Sequence, residues 1–380
     1  MKNGFLSVSK IISAVLCISI LMSSMVFAAE NKDTTLDIQS LDYQTAVDMA
    51  IKNASSLKKI ADQIDVTLDN KEDLFDGGVR PGDSTQLVVV SAQRLAYLSN
   101  IYSLDASYRI SKITEDVTKI GIQAAVKNSF TTILLNQSKL DLLQKNYNLQ
   151  KQLLAQANVK NQVGVMSNKD LEDLNRQTQQ MAEQIKQLQM NIDNAYIALN
   201  DLIGTNPEDR YEIVNEVEYT PLEMTMSLEM YINRKLSTDQ SLQMQQIGVE
   251  NAEFAAKTIS LGTTGSQYRT TELEATNAAR DYKNAKEDKE KSIREAYIQL
   301  QQLESVRKNL QTDLEKAKSD LEKAEVNFKV GNITKLTLDQ ATLALESIEN
   351  SFLENTLNHD LLMFTFDNTC VLGSISWEIK

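Results

Sequence analysis

The sequence predicts an all-α protein in which long antiparallel coiled-coil helices form two structural repeats. Three observations support this fold class. Only three prolines occur among 380 residues, and strong helix formers dominate the stretches between them. The apolar pattern of the first half returns in the second half at an offset of about 167 positions. Apolar residues near the end of each half also alternate steps of three and four, which is the coiled-coil spacing.

Residues 1–28 are predicted to be a secretory signal peptide. Lys2 and Lys10 supply the positive charge, residues 11–27 form the apolar run, and small residues precede a cleavage site after Ala28. We therefore expect the mature chain to be exported to the cell envelope.

Each predicted repeat contains a helix, a Gly-rich break, a longer helix, a Val-Gly turn and a last helix. The first repeat spans residues 41–204, with helices at 41–76, 84–161 and 168–203. The second spans residues 226–373, with helices at 226–260, 267–329 and 335–370. An equatorial linker is expected at 205–225 and a C-terminal tail at 374–380. Weak alternation predicts short strands at 211–219 and 374–379, which could pair in one small sheet.

The fixed offset pairs apolar positions of the two repeats, for example Val126 with Ile293 and Ile133 with Leu300. The helix at 168–203 has an unbroken coiled-coil seam, and the helix at 335–370 has two apolar stripes. Two stripes predict neighbouring helices on two sides, so the helices could close into a ring with one polar face outside and another towards a lumen.

Two polar residues, Asn355 and His359, interrupt the seam of the last helix. The favoured interpretation is that they fix register or oligomeric state, as buried polar seam residues commonly do. The alternative is a proton switch at His359.

Composition and motifs argue against catalysis, cofactors and metal binding. His359 is the only histidine and Cys370 the only cysteine after cleavage, so neither a histidine metal site nor a Cys-His pair is expected. No phosphate-binding, dinucleotide-binding or hydrolase motif is present. The net charge of −13 argues against nucleic acid as a partner.

The two turns, residues 163–170 and 328–334, share a Val-Gly pair, a following polar turn and a leucine-rich helix. With these turns in register, the chain resembles the TolC family of outer membrane efflux proteins. The resemblance implies a homotrimeric α-barrel with at most a small equatorial β element. It also implies docking of the turns to a periplasmic adaptor (membrane-fusion protein) that joins the tunnel to an inner-membrane pump. The implied docking residues are Val163, Gly164, Val165, Val330, Gly331 and Asn332.

Glycine at these turns has a physical reason, because a sharp helix reversal requires positive φ, and a missing side chain allows close approach. The alternative interpretation is a helix cap without a docking role. The resemblance also suggests an acidic ring at the tunnel entrance, with Asp170, Asp173 and Asp339 as candidates. Alternatively, acids such as Asp170 and Asp173 simply favour the first turn of a helix through its dipole.

The sequence departs from the family at the places where each repeat would carry a membrane-spanning hairpin. The breaks at 77–83 and 261–266 are too short for two strands of about nine to eleven residues each. The resemblance implies the outer membrane, whereas the sequence predicts a variant that lacks these hairpins. Our leading hypothesis is a passive efflux tunnel, and the alternative is a non-conducting coiled-coil structural or interaction protein of the envelope.

Overall fold

The computed structural model of the chain describes residues 40–77, 87–259 and 265–372. The predicted signal peptide and the tail at 374–380 lie outside these ranges, as does most of each Gly-rich break.

Long α-helices make up nearly all of the described ranges, which confirms the predicted all-α class. The first half contains strand β1 (Ser40–Leu41) and helices α1 (Tyr43–Asn53), α2 (Ser55–Gly77), α3 (Leu87–Gln162) and α4 (Asn168–Ile203). The second half contains strand β2 (Glu212–Ile213) and helices α5 (Leu228–Thr238), α6 (Gln240–Lys257), α7 (Gly265–Lys329) and α8 (Lys335–Asp367). A short 3₁₀ turn, Thr369–Val371, follows α8.

Two helices that the sequence predicts as continuous, 41–76 and 226–260, are each divided in two. The first is interrupted at Ala54, whose ψ of 104° lies outside the helical region. The second is interrupted at Asp239, which has extended backbone angles. The Asp239 carboxylate accepts the Leu242 N–H at 3.0 Å and so caps the start of α6.

Helix α3 is the centre of the wall that the helices form. Its 76 residues extend for about 114 Å. Towards its C-terminus it packs between α4 and α8, at its middle it packs against α1, and towards its N-terminus it packs against α2 and α6. Helix α7 packs against α8, α5 and α6. The two predicted neighbours of α8 are therefore α3 and α7, and the outer sides of the wall belong to α4 and α7.

Two apolar clusters hold this wall together, one in each half. Val126 and Ile133 of α3 are fully buried in the first cluster, and Ile293 and Leu300 of α7 are fully buried in the second. These are the residue pairs that the offset matched. Their equal burial supports the two-repeat organisation, which stays a prediction.

Within the described ranges, the small sheet contains a strand that the sequence analysis did not predict, and a pairing with residues 374–379 stays a prediction. Strand β2 forms within the predicted 211–219 segment, but it pairs in parallel with β1, so that Leu41 lies opposite Ile213. The Val214 N–H extends the pairing by donating to the Leu41 carbonyl oxygen at 3.0 Å. The linker thus begins attached to the first half, while residues 374–379 lie outside the described ranges.

Candidate functional site

The two predicted turns have the same backbone hydrogen bonds. At the end of α3, the Gly164 N–H donates to the Asn161 carbonyl at 2.9 Å, and the Val165 N–H donates to the Lys160 carbonyl at 2.8 Å. This pair of bonds is the Schellman motif, which closes a helix through a left-handed residue. We call residues 163–165 tip 1.

The end of α7 repeats this geometry. The Gly331 N–H donates to the Phe328 carbonyl at 3.0 Å, and the Asn332 N–H donates to the Asn327 carbonyl at 2.8 Å. Both glycines have φ of +78°. We call residues 330–332 tip 2.

Glycine is required at both tips for its backbone conformation, because residues with a Cβ rarely adopt these angles. Apart from each glycine and its two neighbours in sequence, no atom of the described chain lies within 4 Å of the position that a Cβ would occupy at Gly164 or Gly331. The close approach that the sequence suggested as a second reason is therefore not seen within a single chain. The geometry agrees with the helix-cap interpretation, and adaptor docking stays a prediction.

Capping does not account for the valines at the tips. Val163 is 68% exposed, Val165 77% and Val330 64%. A Schellman motif often buries the residue after its glycine against the preceding turn, yet that residue at tip 1 is the highly exposed Val165. These side chains are left uncovered by the rest of the described chain.

Both tips lie at the same end of the wall. Ion pairs join α3 to α8, from Lys139 to Glu354 at 2.8 Å and from Lys145 to Glu346 at 3.1 Å. Residue numbers rise along α3 and fall along α8 towards the tips, so the two helices are antiparallel. The exposed valines of tip 1 and tip 2 therefore lie at the same end of the molecule.

The candidate entrance acids have local partners. Asp170 belongs to a helix cap, in which Ser167 Oγ donates to its carboxylate at 2.7 Å and the Asp170 N–H donates to Ser167 Oγ at 3.1 Å. The other two acids form ion pairs within their own helices, Asp173 with Arg176 at 2.8 Å and Asp339 with Lys335 at 2.7 Å. These contacts agree with the structural alternative, and an acidic ring stays a prediction.

The polar seam residues of α8 are buried against α7. Asn355 is 5% exposed and its Nδ2 donates to the Leu303 carbonyl at 2.9 Å. His359 is 1% exposed, and its Nε2 lies 3.5 Å from Glu304 Oε1 without forming a hydrogen bond. Burial, together with the positive charge of Arg307, lowers the pKa of His359 although the nearby Glu304 carboxylate acts to raise it.

A cluster around His359 was missed by the sequence analysis. Tyr219 of the linker lies against His359, with 4.9 Å between ring centroids. The Arg307 guanidinium lies 3.7 Å from the Tyr219 ring centroid and 4.0 Å from that of Phe352. The sequence does contain a signal, because Arg307 stands four positions after Leu303 and three before Leu310, where coiled-coil spacing would favour an apolar residue.

No group of three or more His, Cys, Asp or Glu side chains in the described ranges is arranged to hold a metal ion. Among the helices described, none is both long enough and apolar enough to cross a lipid bilayer.

No protein-family model and no curated protein matches this chain. Solved structures do match it. The chain is similar to CusC with a TM-score of 0.63 and 12% identity, covering 90% of this chain and 95% of that one. For the CmeC outer membrane channel of Campylobacter jejuni the TM-score is 0.59 at 14% identity, with 87% and 86% covered. For the outer membrane protein VceC of Vibrio cholerae it is 0.59 at 11% identity, with 87% and 95% covered. The described part of this chain therefore has the fold of the TolC-type outer membrane channels.

Proposed function

We propose that three copies of this chain close into a passive tunnel that carries small molecules out of the cell envelope. The two tips dock to a membrane-fusion adaptor, which links the tunnel to an inner-membrane pump. The observation that carries this proposal is the pair of matching tips, whose exposed valines lie at the same end of the wall. Channels of the same fold, such as CmeC and OprN, are described as outer membrane channels.

The tips suit docking because their apolar side chains are exposed to water. A partner that covers them would remove the unfavourable free energy of this exposure. Exposed apolar groups gather at each tip, with Val159 following the same surface on α3 and Val326 on α7. A cap needs the glycine and its hydrogen bonds, whereas it does not need these valines. An apolar patch beside a rigid turn is typical of a protein-binding surface.

The outer sides of the wall suit closure into a ring. Helix α4 exposes Met190 and Ile197, and helix α7 exposes Ile298 and Val306. These two surfaces belong to opposite edges of the same chain. Contact between unlike edges of successive copies is heterologous, and a heterologous contact closes a ring when its rotation fits.

Contacts across the wall place the exposed residues of the two edges at similar levels. The Gln137 side-chain amide of α3 donates a hydrogen bond to the Tyr196 hydroxyl of α4 at 3.0 Å, and Tyr196 is adjacent to Ile197. Two residues further along α3, Lys139 pairs with Glu354 of α8, and the adjacent Asn355 bonds the α7 backbone at Leu303. Ile197 and Val306 therefore lie near the same height, as an edge-to-edge contact requires.

The first test is the absolute mass and shape of the protein without its signal peptide. Light scattering should give the mass of three chains, and electron microscopy should show a hollow cylinder. The physical reason for this expectation is that a closed ring covers the exposed apolar side chains of both edges in every copy. A dimer, a filament or a solid rod would instead favour a non-conducting coiled-coil spacer.

A second test concerns the tips. Replacing Val165 and Val330 together by asparagine should abolish adaptor binding and export, because both apolar contacts are removed while the Schellman turns are kept. Binding of the purified adaptor can be followed by surface plasmon resonance. The free energy of unfolding should change by no more than about 0.5 kcal/mol, as is usual for exposed sites.

The matched control is Met230→Asn, which replaces an apolar residue that is 57% exposed on α5, away from the tips. Adaptor binding and export should be unchanged in this variant. Normal adaptor binding by the double tip variant would contradict the docking role of the valines.

A further inference from the structure

The linker between the two halves is attached at both of its ends. At its start, β2 pairs with β1, and the Tyr196 hydroxyl donates to the Tyr211 carbonyl at 2.7 Å. At its other end, residues 219–222 attach to the second half. There the Leu222 N–H donates to Glu304 Oε1 at 2.6 Å, and the Tyr219 ring covers Arg307. The segment 214–222 thus forms a strap across the two halves.

The second attachment depends on two α7 side chains, Glu304 and Arg307, whose charges both act on His359. Glu304 Oε1 holds the Leu222 N–H and lies 3.5 Å from His359 Nε2. Arg307 lies between the Tyr219 and Phe352 rings, and its Nη1 donates to Thr356 Oγ1 at 2.6 Å. The imidazole itself packs against Tyr219.

From this geometry we propose that His359 makes the attachment of the strap pH-responsive, so that residues 219–222 are held on α7 and α8 when His359 is neutral and released when it is protonated. The proposal goes beyond the tunnel function and does not depend on it.

The physical reason is competition for Glu304 and repulsion from Arg307. A protonated imidazole attracts the Glu304 carboxylate, which in the closed arrangement is already bonded to the Leu222 N–H. The same charge repels the Arg307 guanidinium, on which Tyr219 is stacked. Both contacts that attach the strap are therefore weakened together. The remaining neighbours are Asp360, which favours the charged imidazole, and Tyr219, which is uncharged at neutral pH.

The sign of the pH dependence follows from the folded state. Burial is the largest influence on His359 and lowers its pKa, Arg307 lowers it further, and Glu304 and Asp360 only partly oppose this. The attachment is therefore complete above the ordinary His pKa of 6.5 and is lost as the pH falls through the lowered pKa. Each pKa unit that separates the attached from the released state weakens attachment about tenfold at low pH.

The test uses the full mature chain without a histidine tag, so that His359 is the only histidine. Hydrogen exchange of the 214–226 peptide is measured by mass spectrometry between pH 7.5 and 5, corrected for the intrinsic exchange rate. In parallel, NMR of ¹³C-labelled histidine gives the titration of His359. We expect protection of the peptide to fall with the same midpoint as the histidine titration, and this comparison needs no substitution.

His359→Gln should remove the pH dependence while keeping a neutral polar side chain. Tyr219→Leu should lower protection at both ends of the pH range, because the contact with Arg307 is lost. Exchange in a core peptide of α3 around Ile133 is the internal control and should not change. The proposal is overturned if wild-type protection is independent of pH while His359 titrates, or if His359→Gln keeps the wild-type pH dependence.

Discussion

Replacing Asp239 by alanine should lower the free energy of unfolding by about 3–5 kcal/mol, because it breaks a buried ion pair and a helix cap together. The Asp239 side chain is fully buried and lies 3.6 Å from Lys289 Nζ, which is itself 14% exposed. Thr369 Oγ1 donates to the carboxylate at 2.6 Å, and the Leu242 N–H donates to it at 3.0 Å. One carboxylate therefore ties α6, α7 and the C-terminal turn together.

The measurement is urea unfolding followed by helical circular dichroism, at one fixed protein concentration because association also contributes to stability. Ser227→Ala is the control, since Ser227 caps α5 at an exposed position and accepts a single hydrogen bond from the Met230 N–H. That variant should lose about 1 kcal/mol. A loss at Asp239→Ala no larger than this would mean that the buried network adds nothing beyond an ordinary cap.

The pH dependence of the Asp239 effect has a definite sign. Burial alone would raise the pKa of Asp239, but Lys289 and the hydrogen bonds to the carboxylate hold it below its ordinary value of 3.8. The stabilisation is therefore complete above that value and is lost as the pH falls through the lowered pKa. The difference in unfolding free energy between wild type and Asp239→Ala should be constant from about pH 7 to 5 and shrink in stronger acid.

Helices and tips could be predicted from the sequence because both depend on local signals. The α4 seam, from Leu171 to Leu202, repeats without a slip, and all of its positions are at least partly buried in the structure. The Val-Gly turns close both hairpins where glycine permits positive φ. The break at Asp239 also had a local signal, a capping residue after Ser237 and Thr238, but the apolar periodicity concealed it.

Other features depend on contacts distant in sequence. Ala54 is a good helix former, so the sequence gives no local signal for the helix break there. The break lies where the chain enters a core, and Ala54 itself is 1% exposed. Strand β1 has only two residues, and its partner β2 lies more than 170 positions away. The Tyr219 cluster required knowing that the linker crosses α7 beside His359, which sequence periodicity does not reveal.

Charge substitutions at the wall edges should decide how copies associate. Ile197→Glu on α4 or Val306→Lys on α7 places an unpaired charge where we expect an apolar contact between copies. Each should weaken association by about 3 kcal/mol or more per contact, which is more than a hundredfold. The double variant should assemble again, because the carboxylate introduced on α4 of one copy meets the ammonium group introduced on α7 of the next in every contact of a heterologous ring.

An equal mixture of the two single variants distinguishes a ring of three from other assemblies. Alternating copies satisfy every contact in a ring of even number, whereas a ring of three must contain two adjacent copies of one variant and hence one unpaired charge. Light scattering should therefore show closed trimers for the double variant and incomplete assembly for the mixture. An isologous dimer through α4 would place the two introduced carboxylates against each other, so the double variant would stay dissociated. That result would contradict the tunnel and favour a spacer, since only contact between unlike edges lets one substitution repair the other.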